Sequence, residues 1–314
     1  MNLLSYDVLK LRSNFIFSIR KFFQAKEFSE IDTPKLKKIP GMEPNLDPFE
    51  VSSDSNPEEG YLVTSPEYSM KIALSQGCDK IYEIAHSYRA NEKGNLHTRE
   101  FLMLEFYQVG INEQELIEVC IELFDFLEKN FLQIGFSSHE CIKISMNKLF
   151  QEYTGRGFSL EELKNTIEEK KLFISKEDNR YEDYFFLVFL NLIEKHLKKF
   201  EHPYFIYNYP PELASLARIE KNRAKRFEIY WKGVELGNGY YELNHPFEQL
   251  QRFHKEQDER KLMGKKVFPI DKEFISALER GLPDCSGIAI GLDRLFMIFL
   301  RHKDLKFSSP YFGQ

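Results

Sequence analysis

Three stretches of this chain carry side chains whose types and spacing could do chemistry on a charged substrate. The first runs from Arg89 to Tyr107 and reads Arg-Ala-Asn-Glu-Lys-Gly-Asn-Leu-His-Thr-Arg-Glu-Phe-Leu-Met-Leu-Glu-Phe-Tyr. Its second half alternates as a strand does, sending Phe101, Met103, Glu105 and Tyr107 to one face and Leu102, Leu104 and Phe106 to the other. A ring, a carboxylate and a phenol on one face suit a pocket that stacks a base and binds a cation. The plainer alternative is a half-exposed sheet face.

The second stretch, Lys232 to Glu242, places Glu235 and Glu242 seven residues apart around Gly237-Asn238-Gly239. A regular strand would point two such acids to opposite faces, and a bulge at the glycines could re-aim one of them. The pair could then divide its work between a metal ion and an ammonium group. An Asn-Gly hairpin turn with two surface acids is the alternative. The third stretch, Cys285 to Ile298, turns from an apolar strand through Gly291 into a helix with Arg294 in its first turn. Free N–H groups and the positive dipole end attract anions there, and an Arg adds a two-pronged phosphate donor. An Asp293–Arg294 surface pair is the competing reading.

Positioning these residues requires a sheet with helices around it. Val8, Leu11, Phe15, Ile19, Phe22 and Phe23 fall at helical spacing over 7–24, and a short strand over 28–33 stops before Pro34. Loop residues dominate from Lys38 to Gly60, with a strand near 49–51. A strand over 61–64 precedes Ser65-Pro66-Glu67, which has the marks of a helix start: a capping hydroxyl, a first-turn Pro and an acid at the positive end. Strands are expected over 81–88, 100–109, 205–209, 226–230, 234–242 and 287–290, and helices over 113–130, 160–171, 183–200, 247–263 and 293–300. Strands in hairpins with helices grouped between them predict an α+β fold, a mainly antiparallel sheet flanked by helices. With no long Gly-rich linker and no repeat, residues 1–314 read as one domain with a mostly helical insertion at about 111–200.

Composition narrows the function. The 314 residues are 42% hydrophobic and 29% charged, with a net charge of -6, the balance of a folded protein without a basic nucleic-acid stripe. Cys78, Cys120, Cys141 and Cys285 form no metal-type pairs, which fits a reduced, cytoplasmic chain. Neither a signal-peptide pattern nor an apolar run long enough for a bilayer is present, so no membrane partner is expected. The P-loop and Gly-x-Gly-x-x-Gly nucleotide signatures are absent, and a nucleotide would need another scaffold.

Taken in order, the three stretches resemble the motifs of class II aminoacyl-tRNA synthetases. The first helix, strand and Pro34 look like motif 1, Arg89–Tyr107 like motif 2, and Gly287–Arg294 like motif 3. Thr64-Ser-Pro-Glu-Tyr-Ser-Met-Lys71 and Glu235-Leu-Gly-Asn-Gly-Tyr-Tyr-Glu242 are similar to the lysine branch. Within it the chain most resembles the short paralogues that ligate lysine or (R)-β-lysine to elongation factor P. Motif 1 begins close to Met1, leaving no N-terminal anticodon-binding domain, and Ala289 stands where synthetases have Gly. The resemblance implies ATP and Mg2+ as cofactors, a homodimer built through motif 1, and no stable tRNA binding.

It also implies roles for individual residues. Ser65, Pro66, Glu67, Tyr107, Glu242 and Ala289 would form the amino-acid site. Arg89, Ala90, Asn91, Glu92, His97, Thr98, Phe101, Glu235, Leu236, Gly291 and Arg294 would hold ATP. Arg89 and Arg294 would be catalytic, and Glu235 and Glu242 would serve metal. The chain departs from the family at Arg89-Ala-Asn-Glu92, at His97-Thr-Arg-Glu-Phe101 and at His245. A truncated synthetase that charges tRNA and an idle regulatory paralogue are the alternative functions.

Overall fold

A computed structural model describes residues 4–55, 60–174 and 180–313. The chain opens with α1 (Tyr6–Ala25), whose Ser5 hydroxyl accepts from Val8 N and whose Phe15, Ile19, Phe22 and Phe23 face the core. Short strands β1 (Ser29–Glu30), β2 (Leu36–Lys37), β3 (Glu50–Val51) and β4 (Gly60–Leu62) lead to α2 (Glu67–Ser75). Then come β5 (Lys80–Tyr88), β6 (Glu100–Val109) and α3 (Glu113–Asn130), which Asn112 and Glu115 close with reciprocal side-chain-to-backbone bonds.

The next segment holds β7 (Ile142–Ser145), α4 (Met146–Thr154), α5 (Leu160–Glu169), α6 (Tyr181–Val188), a π-helical stretch over Phe189–Glu194 and α7 (Lys195–Leu197). The single helix expected over 183–200 is thus three pieces. Asn191 donates its side-chain amide to Leu187 O at 2.8 Å, inside the stretch where the turn widens. An apolar pattern that covers every side of the helix hides one inserted residue.

Strands β8 (Tyr204–Tyr209), β9 (Ile219–Glu220), β10 (Arg223–Trp231) and β11 (Val234–Tyr241) follow, then α8 (Pro246–Leu262), α9 (Lys272–Gly281), β12 (Cys285–Gly291) and α10 (Leu292–Phe299). The large sheet runs β1-β5-β6-β12-β11-β10-β8-β7, with β9 beside β10. Only the outer pairs β1–β5 and β7–β8 are parallel, so the fold is α+β with a mainly antiparallel sheet. α1, α3 and α10 bury one sheet face in a large aromatic core. α2, α8 and α9 build a second core with Tyr107 and Cys285. What remains between these layers is the site.

Candidate functional site

A cavity of about 670 Å³ opens over β6, β12 and β11, a size suited to a small-molecule ligand. Sheet register assembles its floor: Ala289 pairs with Glu105 on one side and Asn238 on the other, while Gly287 pairs with Tyr107. A bulge stands where β11 meets β10, because Ile229 pairs with Gly237 but Tyr230 pairs with Glu235. The extra residue is Leu236, one position before the expected glycines. It turns Glu235 to the cavity that Asn238 and Tyr240 also line, but Glu242 lies buried outside the lining, so the two acids do not share one open face. The hairpin turn itself lies at Lys232 and Gly233, both with positive φ, so Asn238-Gly239 is mid-strand.

One end of the cavity is cationic. Arg294, in the first turn of α10, donates Nε to Leu96 O at 3.0 Å and Nη1 to Glu235 O at 2.8 Å. Carbonyl partners orient the guanidinium without cancelling its charge. Asp293, its neighbour, turns into the core, where it pairs with Arg12 Nη1 at 2.8 Å and accepts from Leu102 N at 2.7 Å. The surface-pair reading of Asp293 and Arg294 is therefore overturned.

Arg89 follows β5 and reaches only 3.7 Å from Glu92, with its Nε unpartnered and its guanidinium 5.0 Å from the Phe101 ring centre. His97 sits 3.6 Å from Glu92, and burial followed by the Arg294 charge lowers its pKa, so the imidazole is neutral at pH 7. Two incompletely neutralised guanidiniums beside an aromatic face and a helix start form an anion site.

The other end is acidic. Lys71 of α2, only 1% exposed, places Nζ 2.5 Å from Glu67 Oε1 and 2.6 Å from Glu242 Oε2. Burial pushes the Glu242 carboxyl up to about 8 against the pull of Lys71, and its Oε1 has no partner. Glu105 accepts from the Tyr107 hydroxyl at 2.8 Å, its Oε2 is unpartnered, and burial reinforced by Glu67 holds its pKa well above the carboxylate range. Nearer the mouth, Glu256 is raised to about 8 by burial and by Glu43. This end holds more acid than its one buried ammonium balances, and a cationic ligand would relieve it.

A third group centres on Glu228 and Glu235. Glu228 accepts from Tyr209 at 2.7 Å, from Tyr230 at 2.9 Å and from Arg226. Protein surroundings and the Glu228 charge lift Glu235 to about 7, although its side chain is open to solvent in the cleft. Glu235, exposed in the cleft beside Arg294 with Glu228 buried behind it, is an acid that could share a divalent ion with an anionic ligand. Among the described residues no cluster of three or more His, Cys, Asp or Glu side chains forms a metal cage by itself.

The structure brings Ser65, Glu67, Arg89, Glu92, His97, Thr98, Phe101, Glu235, Leu236, Ala289, Gly291 and Arg294 to one cavity. The displaced carboxylate of Glu92 still reaches it. Ala90 and Asn91, expected at the nucleotide, are instead tied to Asp47, through Ala90 N at 2.7 Å and Asn91 Nδ2 at 2.7 Å. Pro66 caps α2 behind the lining, with Ser65 Oγ accepting from Glu67 N at 3.3 Å. Tyr107 and Glu242 lie under the floor, and Glu242 faces Lys71 where a metal ligand was expected. Thr98 spends its hydroxyl on Glu100 O at 2.6 Å. His245 caps α8 by accepting from Glu248 N.

Sequence reasoning missed Lys71 and Glu228, and Glu105 entered it only as the carboxylate of a face suited to a cation. Lys71 and Glu67 look like an ordinary i,i+4 surface pair on α2, and only the fold adds Glu242 to them.

The sequence matches the family described as tRNA synthetases class II (D, K and N) over residues 2–311. The chain belongs to this class II family. Its curated relatives include an elongation factor P–(R)-β-lysine ligase homolog of Aquifex aeolicus, 38% identical over 95% of this chain and 97% of the relative. An elongation factor P–(R)-β-lysine ligase of Buchnera aphidicola is 40% identical over 95% of this chain and 93% of its own length. One from Vibrio parahaemolyticus is 34% identical over 94% and 92%. Of the segments that carried the resemblance to class II synthetases, 64–71, 89–107, 235–242 and 287–294 converge on the cavity, whereas the first helix, strand and Pro34 do not line it.

Proposed function

We propose that this class II protein activates lysine or (R)-β-lysine with ATP and transfers it to the ε-amino group of a lysine on elongation factor P. One observation carries the reading: a single cavity joins two incompletely neutralised arginines to a buried surplus of carboxylates. A nucleotide triphosphate fits the first end and a diamino acid the second. Relatives covering nearly the whole chain bear the corresponding name.

In the first step a carboxylate oxygen of the amino acid attacks the α-phosphorus, and the bond to pyrophosphate breaks. Arg89, whose nearest acid stands 3.7 Å away, would grip the α-phosphate, and Arg294, anchored on two carbonyls, would take the departing phosphates. Both are held in place before charge develops, so little reorganisation is needed. Phe101 offers adenine a stacking face and Glu67 takes a substrate ammonium, with Glu242 and Tyr107 behind it toward the side-chain end. Mg2+, held by Glu235 with Glu228 behind it, would neutralise phosphate charge. In the second step the acceptor amine attacks the adenylate carbonyl, forming an amide, and AMP leaves with the electron pair of the anhydride bond.

We read the chain as a cytoplasmic homodimer joined through α1, with residues 1–314 as one catalytic unit. A helix long and apolar enough to cross a membrane is absent among the described residues. ATP–pyrophosphate exchange tests the first step: it should require lysine or (R)-β-lysine, and exchange indifferent to both would sink the reading. With elongation factor P and bulk tRNA offered together, mass spectrometry should find the label on the protein. Label on tRNA would select the alternative.

A further inference from the structure

The acids of the amino-acid end bind a cation in their ionised form, which burial opposes. Glu242 is 1% exposed and Glu105 is 1% exposed, and neither forms a hydrogen bond through every oxygen. The charged and titratable groups facing Glu242 come from four segments. They are Glu67 and Lys71 of α2, Glu105 and Tyr107 of β6, Tyr240 of β11, and Cys285 of β12. Only Lys71 among them is a cation. Its side chain has no route to solvent, and both of its short contacts are carboxylates.

Resting on the proposed function, we infer that Lys71 is a positioning residue that lets the amino-acid pocket present one unbalanced negative charge to its substrate. Its ammonium clamps Glu67 and Glu242 in one geometry, 2.5 and 2.6 Å away, so that Glu242 can release its proton as the substrate ammonium arrives. In that substrate-bound state, with Glu105 protonated, two carboxylates and one ammonium leave a single negative charge for a single ammonium. Without Lys71 the two acids would share a proton, as closely placed buried carboxylates do, and the pocket would accept a cation only at higher pH. The ion pair sets the charge of substrate that the pocket admits. It takes no part in breaking or making bonds.

The test is the pH profile of KM for lysine in pyrophosphate exchange, compared between the wild-type protein and Lys71→Met. The variant should move the KM midpoint up by about one to three pH units, the effect of losing an opposite charge within 4–6 Å. At pH 7.5 its KM should rise about tenfold or more while kcat at saturation changes less than about threefold. Lys71→Arg should restore the wild-type midpoint, because it restores the charge. An unmoved midpoint in Lys71→Met would overturn the assignment.

Should Lys71→Met fail to fold, Lys71→Met/Glu242→Gln decides, since it removes the cation together with one of the acids it balances. Recovery of a folded protein supports charge balance, and failure of the double variant too would make Lys71 a packing residue. A wild-type protein without lysine-dependent exchange would refute the proposed function instead, so the two failures are distinct.

Discussion

At the scale of single residues, two glycines on the same strand separate packing from function. A Cβ on Gly287 would lie 2.1 Å from the Tyr107 ring, whereas one on Gly291 would meet nothing closer than 3.8 Å. Gly291 also has φ -71, which any residue adopts, so neither space nor backbone requires a glycine there. What it preserves is room in the cavity. Gly287→Ala should therefore lower thermal stability by about 1–3 kcal/mol and displace Tyr107 from Glu105. Gly291→Ala should melt like the wild type yet raise KM for ATP by about tenfold or more, the effect of one unwanted methyl in a fitted pocket. Melting curves and exchange kinetics on both variants check the pair, and a destabilised Gly291→Ala would contradict the reading.

At the scale of elements, the site depends on the junction of α1, β6 and α10. Arg12 of α1 reaches Asp293 of α10, which in turn accepts from the backbone of Leu102 in β6. Both side chains of the pair are nearly inaccessible, at 7% and 3%, so solvent does not screen it. Arg12→Met should cost about 3–5 kcal/mol, because it leaves Asp293 charged and buried without its partner. Arg12→Met/Asp293→Asn should recover part of that loss in a denaturant titration, and no recovery would show that Arg12 acts through its aromatic contacts alone.

This junction also marks how far the sequence could be read. Periodicity located β6, its two faces and the strand-to-helix turn at Gly291, because local patterns determine local geometry. The partner of Asp293 lies 281 positions away in sequence, and the Lys71–Glu242 and Asn91–Asp47 contacts are also long-range. Side-chain pairing across elements has no period, so these contacts became visible only in the fold.

At the scale of the whole molecule, the cavity makes stability depend on pH and on ligand together. Glu242 and Glu256 are raised to about 8, each chiefly by burial. A carboxyl whose folded pKa is raised binds its proton more tightly folded than unfolded. Its stabilising contribution is complete below the ordinary carboxylate range and disappears as pH rises through the folded value. The ligand-free protein should therefore lose melting temperature steadily between about pH 4.5 and 8, where the unfolded chain has released these protons and the folded protein still holds them. His97, whose pKa is lowered, works in the opposite direction, and its opposing change fades as pH passes the ordinary imidazole value, which leaves the upper part of that window to the acids.

Lysine, ATP and Mg2+ bring cations to the same acids, and their stabilising increment should grow across the window in which the free protein weakens. Lysine binding at pH 7.5 should accordingly release protons, visible as a buffer-dependent heat in calorimetry. A ligand increment that stays constant with pH, or a free protein that strengthens as pH rises, would show that the acids are already ionised and that the cavity is not held in wait for a cation.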